Sequence, residues 1–427
     1  MTTTTAPALP RTLGLGGGIA LAVGSVAGSG ILFLPSVTYG IAGPDVLVVW
    51  AAAALLCLPL LLIFGEMVGE APESSGLEGF VARGLGRRAA ACVPALFLVL
   101  FYPAFAAAML VAGGYLEAAV GGGTPVRLAG ALAVIAGVAA TNVVGARWGA
   151  RAQAVVTWTL LAAALGLVLL TVPDAGGGYG AVAPELQALD PVLGGLLVAF
   201  WAFAGFENMT FVAGEMRNPR RDYLVATGIA LAAYCALSVL LTANLAAIVP
   251  RAEIDELAGM AQLAGYVPHG AAIITVLALA LVQANAASWT WGISRLIYGA
   301  ARDGRLPASL AVLDARGLPR RAVLTLVVPG TVVTCLAAAV PGLVLRFVVA
   351  ASAMFAFLYV LALAAYLRGR RRPARRVLAA LLLAFLLAVL ASQGAYLLVP
   401  VAVCGATLAA TGGRARRRRS GTCSAPR

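Results

Sequence analysis

Lysine is missing from all 427 residues, so each of the 30 basic positions is an arginine. No phosphate-binding loop of the form GxxxxGKS or GxxxxGKT can therefore exist, which argues against a pump driven by nucleotide hydrolysis. Histidine is almost as scarce: His269 stands alone at the border of an apolar run, with no HxxE, HExxH or paired-aspartate motif beside it. A membrane enzyme would need clustered His, Cys, Asp or Glu at catalytic spacing, and that reading has nothing to rest on. The six cysteines are dispersed, with Cys57, Cys92, Cys235, Cys335 and Cys404 inside apolar runs and Cys423 in the basic tail. They suggest neither a disulfide framework nor a metal site, and no cofactor is implied. Polar loops are short too, none exceeding about eighteen residues, which leaves no room for the soluble effector domain of a receptor.

Charge is the deepest shortage. Only 11% of residues are charged and 62% are hydrophobic, with a mean hydropathy of +0.96, whereas a soluble domain carries about a quarter charged residues. Water is not the main solvent of such a chain. A bilayer core about 30 Å thick takes about 20 apolar residues per helix. Twelve stretches of that kind, separated by polar or Pro/Gly breaks, run over 13–40, 44–69, 90–119, 127–146, 151–172, 191–216, 225–249, 268–301, 321–340, 343–367, 377–391 and 394–411. The expected fold class is all-α, a polytopic membrane protein of twelve transmembrane helices. The first run is long, lacks a small-residue cleavage site at its end and passes straight into the second, so no cleavable signal peptide is expected.

With the N-terminus in the cytoplasm, 26 of the 30 arginines fall on the inner side, and only Arg127, Arg251, Arg295 and Arg346 remain. The positive-inside rule then predicts two cytoplasmic termini and an even number of spans in a cell membrane. Arginine without lysine, beside abundant alanine and glycine, suits the GC-rich coding of a bacterium and hence its inner membrane. The formal charge of +13 and the RARRRR run at 414–419 look like a nucleic-acid patch. Arginines confined to short loops read better as topology determinants and contacts for anionic lipid headgroups, so no nucleic-acid partner is expected.

Two of the twelve runs are interrupted. Clustered glycine and serine inside a span are tolerated only where protein or a cavity surrounds the freed backbone groups. The first run carries GSVAGSG at 24–30, with Pro35 following, which predicts an unwound segment at Ser25, Val26, Ala27, Gly28, Ser29 and Gly30. Its amides and carbonyls would suit a zwitterion; the same small residues also offer a GxxxG packing face. The sixth run carries FAGFEN at 203–208, with Phe203, Ala204 and Gly205 next to Glu207. A carboxylate at the bilayer midplane costs about 2.5–3.5 kcal/mol on insertion scales, so an intramembrane glutamate is a functional candidate by default. Glu207 reads as a coupling or gating acid, or as a protonated group hydrogen-bonded to a neighbouring helix. The two readings are compatible, because a carboxyl group kept neutral by burial can take and release a proton as a cavity opens to either side.

The interrupted runs start about 178 residues apart and each begins a set of five. Five is odd, so the sets enter the membrane from opposite sides, the inverted-repeat plan of many secondary transporters. The expected organisation is a cytoplasmic N-terminus at 1–12, a first repeat at 13–172, a second at 191–367, two accessory helices within 377–411 and a basic cytoplasmic tail at 412–427.

Three segments carry a family resemblance: AVGSVAGSGILFLP in the first run, FWAFAGFENMTFVAGEMRNPRRDYLVA from the sixth into the next loop, and SWTWGISRLIYGAARDGRLP from the eighth into the next. Together they are similar to the amino acid, polyamine and organocation transporter superfamily, and in particular to its bacterial methionine and branched-chain amino acid exporters. The resemblance implies five plus five inverted helices with substrate held between the unwound parts of the first and sixth. It implies that the backbone at 25–30 cradles the substrate carboxylate, and that carbonyls near Phe203, Ala204 and Gly205 hold its ammonium. Trp201 resembles an aromatic that covers bound substrate. Trp289 matches a gate tryptophan, although packing would also account for it, since Trp291 is adjacent and only one of the two can face a cavity. Some relatives use a lysine in the fifth helix in place of a sodium ion, which this chain cannot do. The expected function is secondary active transport of a small-molecule amino acid, neutral and hydrophobic, by export and with possible proton coupling. The alternatives are uptake or exchange, or a cationic amino acid or polyamine drawn by Glu207.

Overall fold

The computed structural model describes residues 13–26, 29–70, 76–144, 150–202, 205, 209–210, 213–302 and 306–421. Among these the chain is helical with no strand, only an isolated bridge between Leu13 and Met216. In chain order the helices are α1 (Leu15–Val26), α2 (Gly30–Ala42), α3 (Val46–Glu70), α4 (Gly76–Leu85), α5 (Arg87–Ala90), α6 (Cys92–Val120), α7 (Gly123–Val144) and α8 (Ala150–Ala175). They continue with α9 (Leu189–Trp201), α10 (Pro219–Ile248), α11 (Gly259–Ala264), α12 (Gly270–Arg302), α13 (Arg320–Ala339), α14 (Leu343–Arg368), α15 (Pro373–Ser392) and α16 (Ala395–Gly421).

Nine helical stretches among the described residues are long and apolar enough to cross a bilayer. One of them is the run Gly30–Glu70, in which α2 and α3 join through a 3₁₀ turn at Gly43–Asp45. The expected first and sixth spans lack a long unbroken helix of their own, and the helix of the twelfth has only a short apolar part. The first is divided between α1 and α2, the sixth stops being regular at Trp201, and the twelfth keeps its apolar part to Ala395–Thr411. Two helices were not expected from the apolar pattern: α4, which packs against α14, and the short α11 in the loop before α12. The last helix also runs on through the arginines of 414–419 rather than ending at 411.

Lipid tails are as apolar as leucine, so close packing rather than water exclusion must hold the bundle together. The long helix α6 sits at its centre, touching α7, α12, α13 and α14. Glycine permits the closest of these approaches: a Cβ on Gly113 would lie 1.9 Å from the carbonyl oxygen of Arg127 at the start of α7. The opposite, outer-facing side chains are apolar and exposed, as at Leu169, Val328 and Val332, which suits a surface wetted by lipid.

Charged side chains gather at the helix ends. Arg251 donates from Nε and Nη2 to the carbonyl of Gly40 at 3.0 and 2.7 Å and from Nη2 to that of Ile41 at 3.0 Å. That fork satisfies the orphan carbonyls closing α2 and opposes the negative end of its dipole. Nearby, Arg127 pairs with Glu117 at 2.5 Å, and burial, with Asp255 next to it, pushes the Glu256 carboxyl above the usual carboxylate range. At the other end Glu66 and Glu70 of α3 meet Tyr366, Arg371 and Arg375, with Arg371 Nη2 2.9 Å from Glu70 and Arg375 Nε 3.2 Å from Glu66. These contacts fix α3 to the end of α14 and the start of α15.

Candidate functional site

The two interruptions meet. Helix α2 packs against α9, and a cavity opens where the first residues of α2 face the last residues of α9. Ser29 and Gly30 line it from one interruption and Trp201 and Ala202 from the other; α6 supplies Phe101 and Phe105, α12 supplies Asn285 and Trp289, and α14 supplies Phe355. The space open to the centres of water molecules is about 70 Å³. A single water needs roughly 10–15 Å³ on that measure, so the cavity has room for more than one.

Backbone geometry sets the polarity of the two interruptions. Residue Ser29 is a turn whose carbonyl accepts from the amide of Leu32 at 3.1 Å, and its side chain caps nothing. Ser29 and Gly30, at the N-terminal end of α2, line the cavity, so the positive end of that helix's dipole lies at its wall. Helix α9 finishes at Trp201 with a tightened turn, the amide of Ala202 donating to Ala199 at 3.0 Å. Trp201 and Ala202, at the C-terminal end of α9, line the same cavity, so the negative end of that helix's dipole also lies at its wall. Beyond it Gly205 is buried at φ 141°, a conformation that any residue with a Cβ would enter only under strain.

The walls are aromatic. Phe33 and Trp201 pack edge to face with centroids 5.4 Å apart, Trp201 lies 6.3 Å from Phe355, and Phe355 lies 6.1 Å from Trp289. Phe101 and Phe105 stack at 5.0 Å on the α6 side. No ionisable side chain lines the cavity among the described residues. Asn285 is its one side-chain amide there, half-buried and without a hydrogen bond among the described residues.

Four of the residues singled out from sequence, Ser29, Gly30, Trp201 and Trp289, thus line a single cavity. Trp291 does not line it, lying instead under the guanidinium of Arg295, whose Cζ is 3.0 Å from the ring centroid. The unwinding expected over 25–30 is narrower than the sequence suggested: Ser25 and Val26, of which only the backbone is described, still belong to α1, and Gly30 already begins α2, leaving Ser29 as the one described residue of the segment outside a helix. Ala27, Gly28, Phe203, Ala204 and Glu207 lie outside the described residues. Sequence reasoning missed Asn285, Phe101, Phe105 and Phe355. The first had a signal, a carboxamide in the middle of an apolar run, while a phenylalanine among leucines carries none.

The amino acid permease family profile matches residues 13–409, nearly the whole chain. The chain belongs to the amino acid permease family. Among its relatives, the L-methionine/branched-chain amino acid exporter YjeH of Escherichia coli is 28% identical over 219 residues, 50% of this chain and 51% of that protein. The chain thus matches about half the length of that exporter. An uncharacterized amino acid permease of Bacillus subtilis, YecA, is 26% identical over 72% of this chain and 73% of its own length. An uncharacterized transporter of Mycobacterium tuberculosis, Rv1999c, is 30% identical over 77% of this chain and 74% of its own. Membership implies a membrane transporter with a small-molecule amino acid as its substrate, and points to a transporter rather than an enzyme.

Proposed function

We propose that the chain is a secondary active exporter of neutral, hydrophobic amino acids such as methionine and the branched-chain residues, working by alternating access. The observation that carries this reading is the composition of the cavity: helix-end dipoles of opposite sign for a zwitterion, aromatic and aliphatic walls for its side chain, and no countercharge among the described lining residues. A guanidinium or second ammonium would stay unpaired against those walls, at a cost of several kcal/mol.

In this mechanism the substrate carboxylate lies on the backbone of 25–30 and its ammonium on carbonyls near 203–205. Trp201 and Trp289 close over it, and Glu207 carries the proton that couples or gates the cycle. The two sets of five spans form an inverted repeat that rocks around the site. Both termini lie in the bacterial cytoplasm, on the side of the arginines.

Counterflow separates this reading from carriage of cations. Proteoliposomes loaded with unlabelled leucine should accumulate labelled leucine, and external methionine, isoleucine and valine should compete while arginine and putrescine should not. Stronger competition by arginine or putrescine would replace the proposed cargo with a cationic one.

A further inference from the structure

A second site lies at the arginine-rich end of the bundle, away from the transport cavity. An open groove of about 560 Å³ is bounded by Gly69 at the end of α3 and by Asn218, Arg220, Arg221, Leu224 and Val225 at the start of α10. Glycine makes it possible: a Cβ on Gly65 would lie 2.5 Å from Leu224 Cδ2, and one on Gly69 would lie 3.1 Å from Arg220 Cβ. The two helices therefore meet closely, with the arginine stem laid along α3.

Among the described residues the charge in this groove is not consumed by a partner. Arg220 and Arg221 are exposed, and neither forms an ion pair or a hydrogen bond among the described residues. Three nearby described carboxylates are engaged elsewhere: Glu70 with Arg371, Glu66 with Tyr366 and Arg375, and the buried Asp222 with the backbone amide of Asn218 at 2.9 Å. Two guanidinium groups thus face an open groove with an apolar floor.

Exposed apolar side chains run on from the groove along both helices. Val225 and Ile229 follow Arg221 at i+4 and i+8 along α10, 37% and 43% exposed, and Leu55, Leu58 and Leu62 occupy the face of α3 that ends at Gly69, 70%, 52% and 40% exposed. These strips lead from the arginines into the lipid-facing surface. A ligand that suits both parts has a phosphate at one end and a hydrocarbon chain at the other.

We propose that this groove binds one anionic phospholipid, with its phosphate between Arg220 and Arg221 and an acyl chain along the α3 and α10 strips. A free phosphate shares the headgroup chemistry but leaves the strips unused. The site goes beyond the transport reading and does not depend on which amino acid is carried or in which direction.

Native mass spectrometry of the purified full chain, titrated with phosphatidylglycerol or phosphatidylcholine, tests it. The wild-type chain should bind phosphatidylglycerol more tightly. Each arginine close to an anionic surface contributes about five-fold, so Arg220→Gln with Arg221→Gln should weaken phosphatidylglycerol binding about thirty-fold and leave phosphatidylcholine unchanged. Arg221→Gln alone, at an exposed position, should weaken it about five-fold and serves if the double variant does not fold. The pair Arg370→Gln and Arg372→Gln removes the same charge elsewhere at this end and should have no such effect. Equal loss in both pairs, no preference for phosphatidylglycerol, or displacement of the lipid by millimolar inorganic phosphate would each overturn the proposal.

Discussion

Replacing Gly30 with leucine is expected to lower substrate affinity and transport roughly a hundred-fold while leaving the protein in the membrane at its normal level. Even the first added carbon is crowded, because a Cβ at this position would lie 2.9 Å from Leu34 Cδ1 and 3.0 Å from Tyr234 Oη. Overpacking of that kind costs about 1–3 kcal/mol, and at its upper end it reaches about a hundred-fold in binding. The rest of the leucine side chain would also occupy the cavity that Gly30 lines, at the end of α2 proposed to hold the carboxylate. Gly30→Ala should be milder, near ten-fold, because the closest neighbour is the movable tip of Leu34. Leucine binding measured by scintillation proximity, with membrane content checked by blotting, reads both variants. Unchanged affinity in Gly30→Leu would remove the start of α2 from the site.

The second large effect is expected at Glu207. If this carboxyl group loses and regains a proton in each cycle, Glu207→Gln keeps the size and hydrogen bonding of the neutral form but cannot release the proton. Net transport driven by a pH gradient should then fall about a hundred-fold or more, as general acid–base groups typically contribute 10²–10⁴. Substrate binding should survive, since glutamine preserves the neutral shape. A purely packing role predicts the contrary result, wild-type flux with the same pH profile, and that outcome would defeat the coupling role. Proteoliposomes with an imposed pH gradient, assayed alongside substrate binding, distinguish the two.

The membrane class was legible because a bilayer imposes a length and a composition on every span, and no tertiary contact can override either. The interrupted first and sixth spans were legible for a related reason. Glycine and serine at 24–30 and Gly205 beside Glu207 mark backbone that cannot remain a plain lipid-facing helix. The same logic, applied once more, would have found Asn285, a carboxamide in an apolar run. The aromatic partners were not legible, because Phe101, Phe105 and Phe355 differ from packing phenylalanines only in what stands opposite them. Which side chains share a wall depends on helix rotation and crossing, and apolar periodicity is weak in spans that are hydrophobic all round. The lipid groove was hidden for another reason: Arg220 and Arg221 read as topology determinants like the other arginines. Only the close approach of α3 and α10 at Gly65 and Gly69 sets them apart.

Export of neutral amino acids is tested most directly by intracellular pools in cells fed methionine- or leucine-containing dipeptides, compared with and without the gene. Dipeptide hydrolysis loads the cytoplasm from inside, so an exporter lowers the pool and an uptake permease does not. The account predicts that deletion raises intracellular methionine, leucine, isoleucine or valine and slows their appearance in the medium, and that the wild-type gene restores both. Pools that are unchanged or lower after deletion, with normal efflux, would contradict it.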